Sequence, residues 1–153
     1  MRLAEALVMR ADCQRKVAQI KQRLVRVIKV QEGDNPSESP TELMVELTRT
    51  LDHLVVWVKK INKTNALSPF DASISLAEAL AERDRIMQHR NILNELLGEA
   101  SIKQDRYSRQ EVKYYTTIEI ADLQKEVDEL SRKYRELDFK IQEKNWSTDL
   151  LDN

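Results

Sequence analysis

Apolar residues return along this chain at intervals of three and four, the spacing that lines up one face of an α-helix. Four stretches carry the pattern. Leu3, Leu7, Ala11, Val17, Leu24 and Ile28 predict a first helix over residues 2–30. Leu43, Leu47, Leu51, Leu54, Val58 and Ile61 predict a second. Leu76, Leu80, Met87, Leu93 and Leu97 predict a third, ending at Gly98. Ile120, Leu123, Val127, Leu130, Tyr134, Leu137 and Ile141 form a heptad stripe on a fourth, of the kind that packs on neighbouring helices at a shallow angle.

The breaks between stretches have their own chemistry. Gly33 offers the left-handed conformation that closes a helix, and residues 34–39 (Asp-Asn-Pro-Ser-Glu-Ser) form the clearest loop. Ser39-Pro40-Thr41-Glu42 is a capping box with proline at the first helical position, where its missing N–H costs nothing. Ser75-Leu76-Ala77-Glu78 is a second box. Fraying of the second helix is expected around Asn62-Lys63-Thr64-Asn65, before Ser68-Pro69. The pentapeptide Leu3-Ala4-Glu5-Ala6-Leu7 recurs 73 positions later as Leu76-Ala77-Glu78-Ala79-Leu80, and Arg10 falls on Arg83 at the same offset. Each copy opens a hairpin, residues 2–66 and 75–146. The expected fold is therefore all-α: four long helices as two consecutive helical hairpins, closing into one antiparallel four-helix bundle domain over residues 1–153. A short strand or irregular segment is expected at residues 112–116, between helices three and four.

Composition narrows the class further. Two glycines and three prolines in 153 residues leave too little turn chemistry for an all-β fold. With 25 Lys+Arg against 26 Asp+Glu the charge is balanced, so any polyanion binding must be local. The lone Cys13 cannot close an internal disulfide and fits a reducing compartment. Glu5 stands where a signal peptide has its apolar stretch, and no apolar run approaches membrane-span length. A cytoplasmic protein is expected.

Several segments resemble those of the septicolysin-like family of small bacterial proteins. They are the opening LAEAL helix, Lys29-Val30-Gln31-Glu32-Gly33, Ile61-Asn62-Lys63-Thr64-Asn65, Arg106-Tyr107-Ser108-Arg109-Gln110-Glu111-Val112-Lys113 and Asn145-Trp146-Ser147-Thr148-Asp149-Leu150. The resemblance covers the whole chain in order. It implies no biochemical function and no catalytic residues, and the sequence has no alternating β-hairpin to support a pore-forming activity.

Three constellations are candidates for chemistry. Arg10 and Arg83 lie on core-facing stripes, where a guanidinium must be paired, reach solvent or meet an anion. The first reading is a salt-bridge layer with Glu5, Glu78 and the carboxylates of helices two and four. The second is an anion pocket completed by Asn62, Asn65 and Asn145. Between residues 103 and 115, Lys103, Arg106, Arg109 and Lys113 alternate with Tyr107, Tyr114 and Tyr115. That composition suits either a structured connection within an oligomer contact or single-stranded nucleic acid, which stacks on aromatic rings. Val55, Val56, Trp57 and Val58 make the second helix apolar on more than one face, predicting a homo-oligomer interface. Trp146 is expected to anchor the C-terminal tail.

Catalytic and metal motifs are missing. The residues three before His53 and His89 are Thr50 and Ile86, so the Glu-x-x-His motifs of di-metal bundles do not occur. No glycine loop or nucleophile elbow is present. No metal and no cofactor are expected. The leading expectation is a non-enzymatic, self-associating interaction module; the alternative is a binder of a phosphate-bearing ligand.

Overall fold

The computed structural model describes residues 1–101 and 112–152. Among these residues the protein is all-α, with four helices: α1 (Leu3–Val27), α2 (Pro40–Leu67), α3 (Leu76–Ala100) and α4 (Ile120–Ser147). They belong to two compact units. The first comprises Met1–Leu76 with Gln142–Asn153, and the second comprises Ala77–Ile141.

In the first unit α1 and α2 form an antiparallel hairpin. Arg23, late in α1, pairs with Glu38 just before α2, while the earlier Lys16 reaches the later Glu46 at 3.2 Å. Between those ion pairs Ile20, Val27 and Leu43 are buried, with Leu24 and Leu47 packed against them. Each aliphatic side chain so buried contributes roughly 1.5–3 kcal/mol relative to exposure. The hairpin loop turns at residues 31–34, where Asp34 N–H donates to Gln31 C=O at 3.0 Å and Gly33 takes φ +87°. Gly33 thus serves the loop, in the position where a type II turn needs positive φ. It does not cap α1, which stops at Val27.

Ser39 caps α2 as its box predicts, its hydroxyl accepting from Glu42 N–H at 3.3 Å with Pro40 in the first turn. The expected fraying at residues 62–65 does not occur; α2 runs on to Leu67. Two bonds hold this last turn. Thr64, fully buried, donates its hydroxyl back to Lys60 C=O at 2.8 Å and accepts Leu151 N–H at 3.0 Å.

The tail that brings Leu151 there also closes the start of α1. Leu3 N–H, one of the orphan donors at a helix N-terminus, donates to Thr148 C=O at 2.9 Å, and Leu150 N–H donates to Met1 C=O at 2.9 Å. Arg2 donates to Ser147 C=O at 3.1 Å and to Asp149 at 2.8 Å. Lys60 reaches Asp152 at 2.7 Å. The indole of Trp146 is 62% exposed, so the tail is clasped by these hydrogen bonds and ion pairs and not by that ring as the sequence suggested.

In the second unit α3 and α4 run antiparallel. Arg83 pairs with Asp138, Arg90 donates to Ser131, and Leu93 and Leu97 pack on Leu123 and Val127. The α4 stripe is buried at Leu123, Val127, Leu130 and Ile141, and 38% exposed at Ile120. The α3 helix passes Gly98 and ends at Ala100. Residues 112–116 are irregular and form no strand.

The two LAEAL copies have matched surroundings. Leu3 and Leu76 are both 0% exposed, as are Ala6 and Ala79, while Glu5 and Glu78 are both exposed. Three expected core positions come out differently: Leu51 is 44% exposed, Ile28 64% and Ile120 38%. Buried Ile20 and Val27 take up the α1 core stripe instead.

Candidate functional site

The candidate polar cluster is divided by the fold. Glu5, Arg10, Asn62, Asn65 and Asn145 belong to the first unit, and Glu78 and Arg83 to the second. Arg83 Nη1 lies 2.8 Å from Asp138 Oδ1, both side chains about one-quarter exposed. That pair is the salt-bridge reading of this residue. Glu5 faces the helix N-terminus, where its carboxylate accepts Arg2 N–H at 2.6 Å.

Arg10 is half-buried, and its Nε is enclosed with no hydrogen-bond partner among the described residues. Asn145 is 6% exposed and its amide donates to Gln142 at 3.4 Å; Asn62 is exposed and Asn65 half-buried.

Of the candidate phosphate-contacting residues, Lys103, Arg106, Tyr107 and Arg109 lie outside the described residues. Lys113 and Tyr114 sit in the irregular segment, where Tyr114 is 79% exposed. No group of three or more metal-ligating side chains occurs among the described residues. His89 stands 4.0 Å from Glu126, a long contact consistent with a surface pair. Cys13 is a free, half-buried thiol. No helix of the described residues is long and apolar enough to cross a membrane.

The most developed surface lies on α2. Val55 and Val56, picked out by sequence, are 45% and 48% exposed, while Trp57 and Val58 are half-buried. The exposed apolar surface extends further than sequence indicated. Met44 and Val45 are each 54% exposed, and Leu51 joins them from its expected place in the core. On a helix of 100° per residue, Met44, Leu51 and Val55 form one stripe, set about 100° away from the buried line of Leu43 and Ile61. The missed signal was present in the sequence: two apolar stripes on one helix mean two packed faces. A hollow of about 390 Å³ opens beside this surface, lined by Thr41, Glu42, Val45, Glu46 and Arg49 of α2 and by Lys16 of α1.

Ion pairs frame the hairpin. The Arg23 guanidinium holds the Glu38 carboxyl below its ordinary range, chiefly through their hydrogen bond, and Glu38 raises Arg23 in turn. On α4, Arg132 bridges Glu129 and Glu136 and lowers Glu129 in the same way. These are exposed pairs, worth little to stability individually.

Comparison with known proteins corrects the resemblance drawn from sequence. The chain is similar to a functionally unknown conserved protein from Corynebacterium diphtheriae, known from its crystal structure. The two share 40% identity over 99% of each chain, with a TM-score of 0.88. No curated protein matches the sequence. The family model that matches, over residues 10–150, is not that of the septicolysin-like proteins, and nothing found connects the chain to them. The chain belongs to a family of unknown function, DUF6847.

Proposed function

We propose that this protein is a non-enzymatic helical module that acts through self-association, with α2 as its contact helix. One observation carries the reading. Met44, Val45, Leu51, Val55 and Val56 remain between 44% and 54% exposed on one side of a helix whose other side is already packed on α1. Exposed apolar side chains gathered on one side of a helix mark an interaction site in a folded protein. The lone Cys13 supports a reducing compartment such as the cytoplasm as its place of action.

Sedimentation velocity and light scattering over a concentration series test the reading. We expect a mass that rises with concentration and falls back to the monomer when Val55 and Val56 are both changed to Asp, with helical circular dichroism retained. A wild-type protein that stays monomeric up to near-millimolar concentration ends it.

A further inference from the structure

The exposed face of α2 has a pattern that reads the same from either end when charge signs are exchanged. In chain order it presents an acid (Glu42), an apolar residue (Val45) and a base (Arg49). It continues with an acid (Asp52), an apolar residue (Val56) and a base (Lys59). Residues 42, 45, 49, 52, 56 and 59 advance by alternating steps of three and four, which keeps them on one face over about 26 Å of helix. All six are exposed. None of the four charged side chains makes an ion pair among the described residues. That includes Arg49 and Asp52, three apart on the same helix.

We infer that α2 pairs with α2 of a second copy, antiparallel, about a twofold axis passing near residues 50 and 51. The inference rests on the self-association reading and adds its occupant, orientation and register. An isologous contact requires a surface that is complementary to itself. Reversing the helix about that axis puts Glu42 against Lys59 of the second copy, Arg49 against its Asp52, and Val45 against its Val56. Each of these four charges meets its opposite, and Val45 and Val56 meet each other. The opposite choice, a parallel pairing in register, stacks each charge on its own like and is disfavoured for that reason.

The hollow lined by Glu42, Val45 and Arg49 lies where Val56 of the second copy arrives, and accepts its side chain. One helix pair of this length buries less than the roughly 800 Å² per partner of a standard stable interface. The dimer is therefore weak, reversible and sensitive to salt.

Charge exchange tests the register. Arg49→Asp sets aspartate against aspartate at two symmetric places and weakens dimerisation by about tenfold or more. Asp52→Arg does the same. The double variant Arg49→Asp/Asp52→Arg restores opposite charges and returns the dissociation constant to within about threefold of the wild type. As a second measurement, in a Cys13→Ser background, Val45→Cys chains mixed with Val56→Cys chains form a mixed disulfide faster than either chain alone. A dimeric wild type that is indifferent to both single reversals, or that cross-links each variant with itself as fast as the mixture, overturns the antiparallel register and leaves self-association standing. A wild type that never dimerises overturns both.

Discussion

Thr64 and Leu151, far apart in the chain, share one hydrogen bond: the Thr64 hydroxyl, fully buried, accepts the Leu151 amide at 3.0 Å. The same hydroxyl donates to Lys60 C=O, so one side chain both completes the last turn of α2 and receives the C-terminal tail. Replacing Thr64 by Val preserves the volume and removes the acceptor. The partly buried Leu151 N–H is then stranded, at a cost of about 1–3 kcal/mol. Chemical denaturation gives the stability loss. Hydrogen exchange at Leu151 should accelerate at the same time, while amides in the α3–α4 unit keep their protection.

The tail clasp is also sensitive to acid. Lys60 holds the Asp152 carboxyl below its ordinary value of about 3.9, first through their hydrogen bond and then through charge. A carboxylate whose folded pKa is depressed contributes stability that is fully present above the unfolded pKa and is lost as pH falls through the folded one. The clasp should therefore hold at neutral pH and loosen below about pH 4. Exchange of tail amides should rise over that window in the wild type. Asp152→Asn should show the loosened tail at neutral pH and no further acid step from this pair.

In the α3–α4 unit, Arg83 and Asp138 form the best-shielded ion pair among the described residues of that unit. A double-mutant cycle with Arg83→Met and Asp138→Leu should give a coupling energy on the order of 1 kcal/mol, above the median of surface pairs and below that of fully buried ones. Urea midpoints for the four proteins supply the measurement. A coupling near zero would remove Arg83 from any role in fixing the hairpin.

Gly33 has open space around it, with no atom within 4 Å of where a Cβ would stand, so Gly33→Ala isolates the backbone cost of φ +87°. The variant should lose about 1 kcal/mol. The loss should appear as a lower melting temperature with no change in helical content, because the strain sits in the α1–α2 loop.

Much of this was legible in the chain. The Ser39 box and Pro40 start α2 where local chemistry says, because a cap acts on amides three residues away. The second LAEAL copy opens a helix as the first does, and Leu123, Val127 and Leu130 are buried on the α4 stripe. The Asn62–Asn65 stretch misled because its weak helix propensity is overridden by Leu151, a partner almost ninety residues on. Leu51 misled because periodicity finds apolar positions without saying which of two faces the first partner helix takes.

What the sequence determined alone was local: helix starts and helix period, each set by interactions spanning a few residues. Tertiary structure decided which carboxylate Arg83 meets, how Thr148 and Leu151 close the ends of α1 and α2, and which α2 stripe stays bare. Those outcomes depend on chain segments brought together in space, where burial and hydrogen-bond satisfaction outweigh propensities of a few tenths of a kcal/mol per residue.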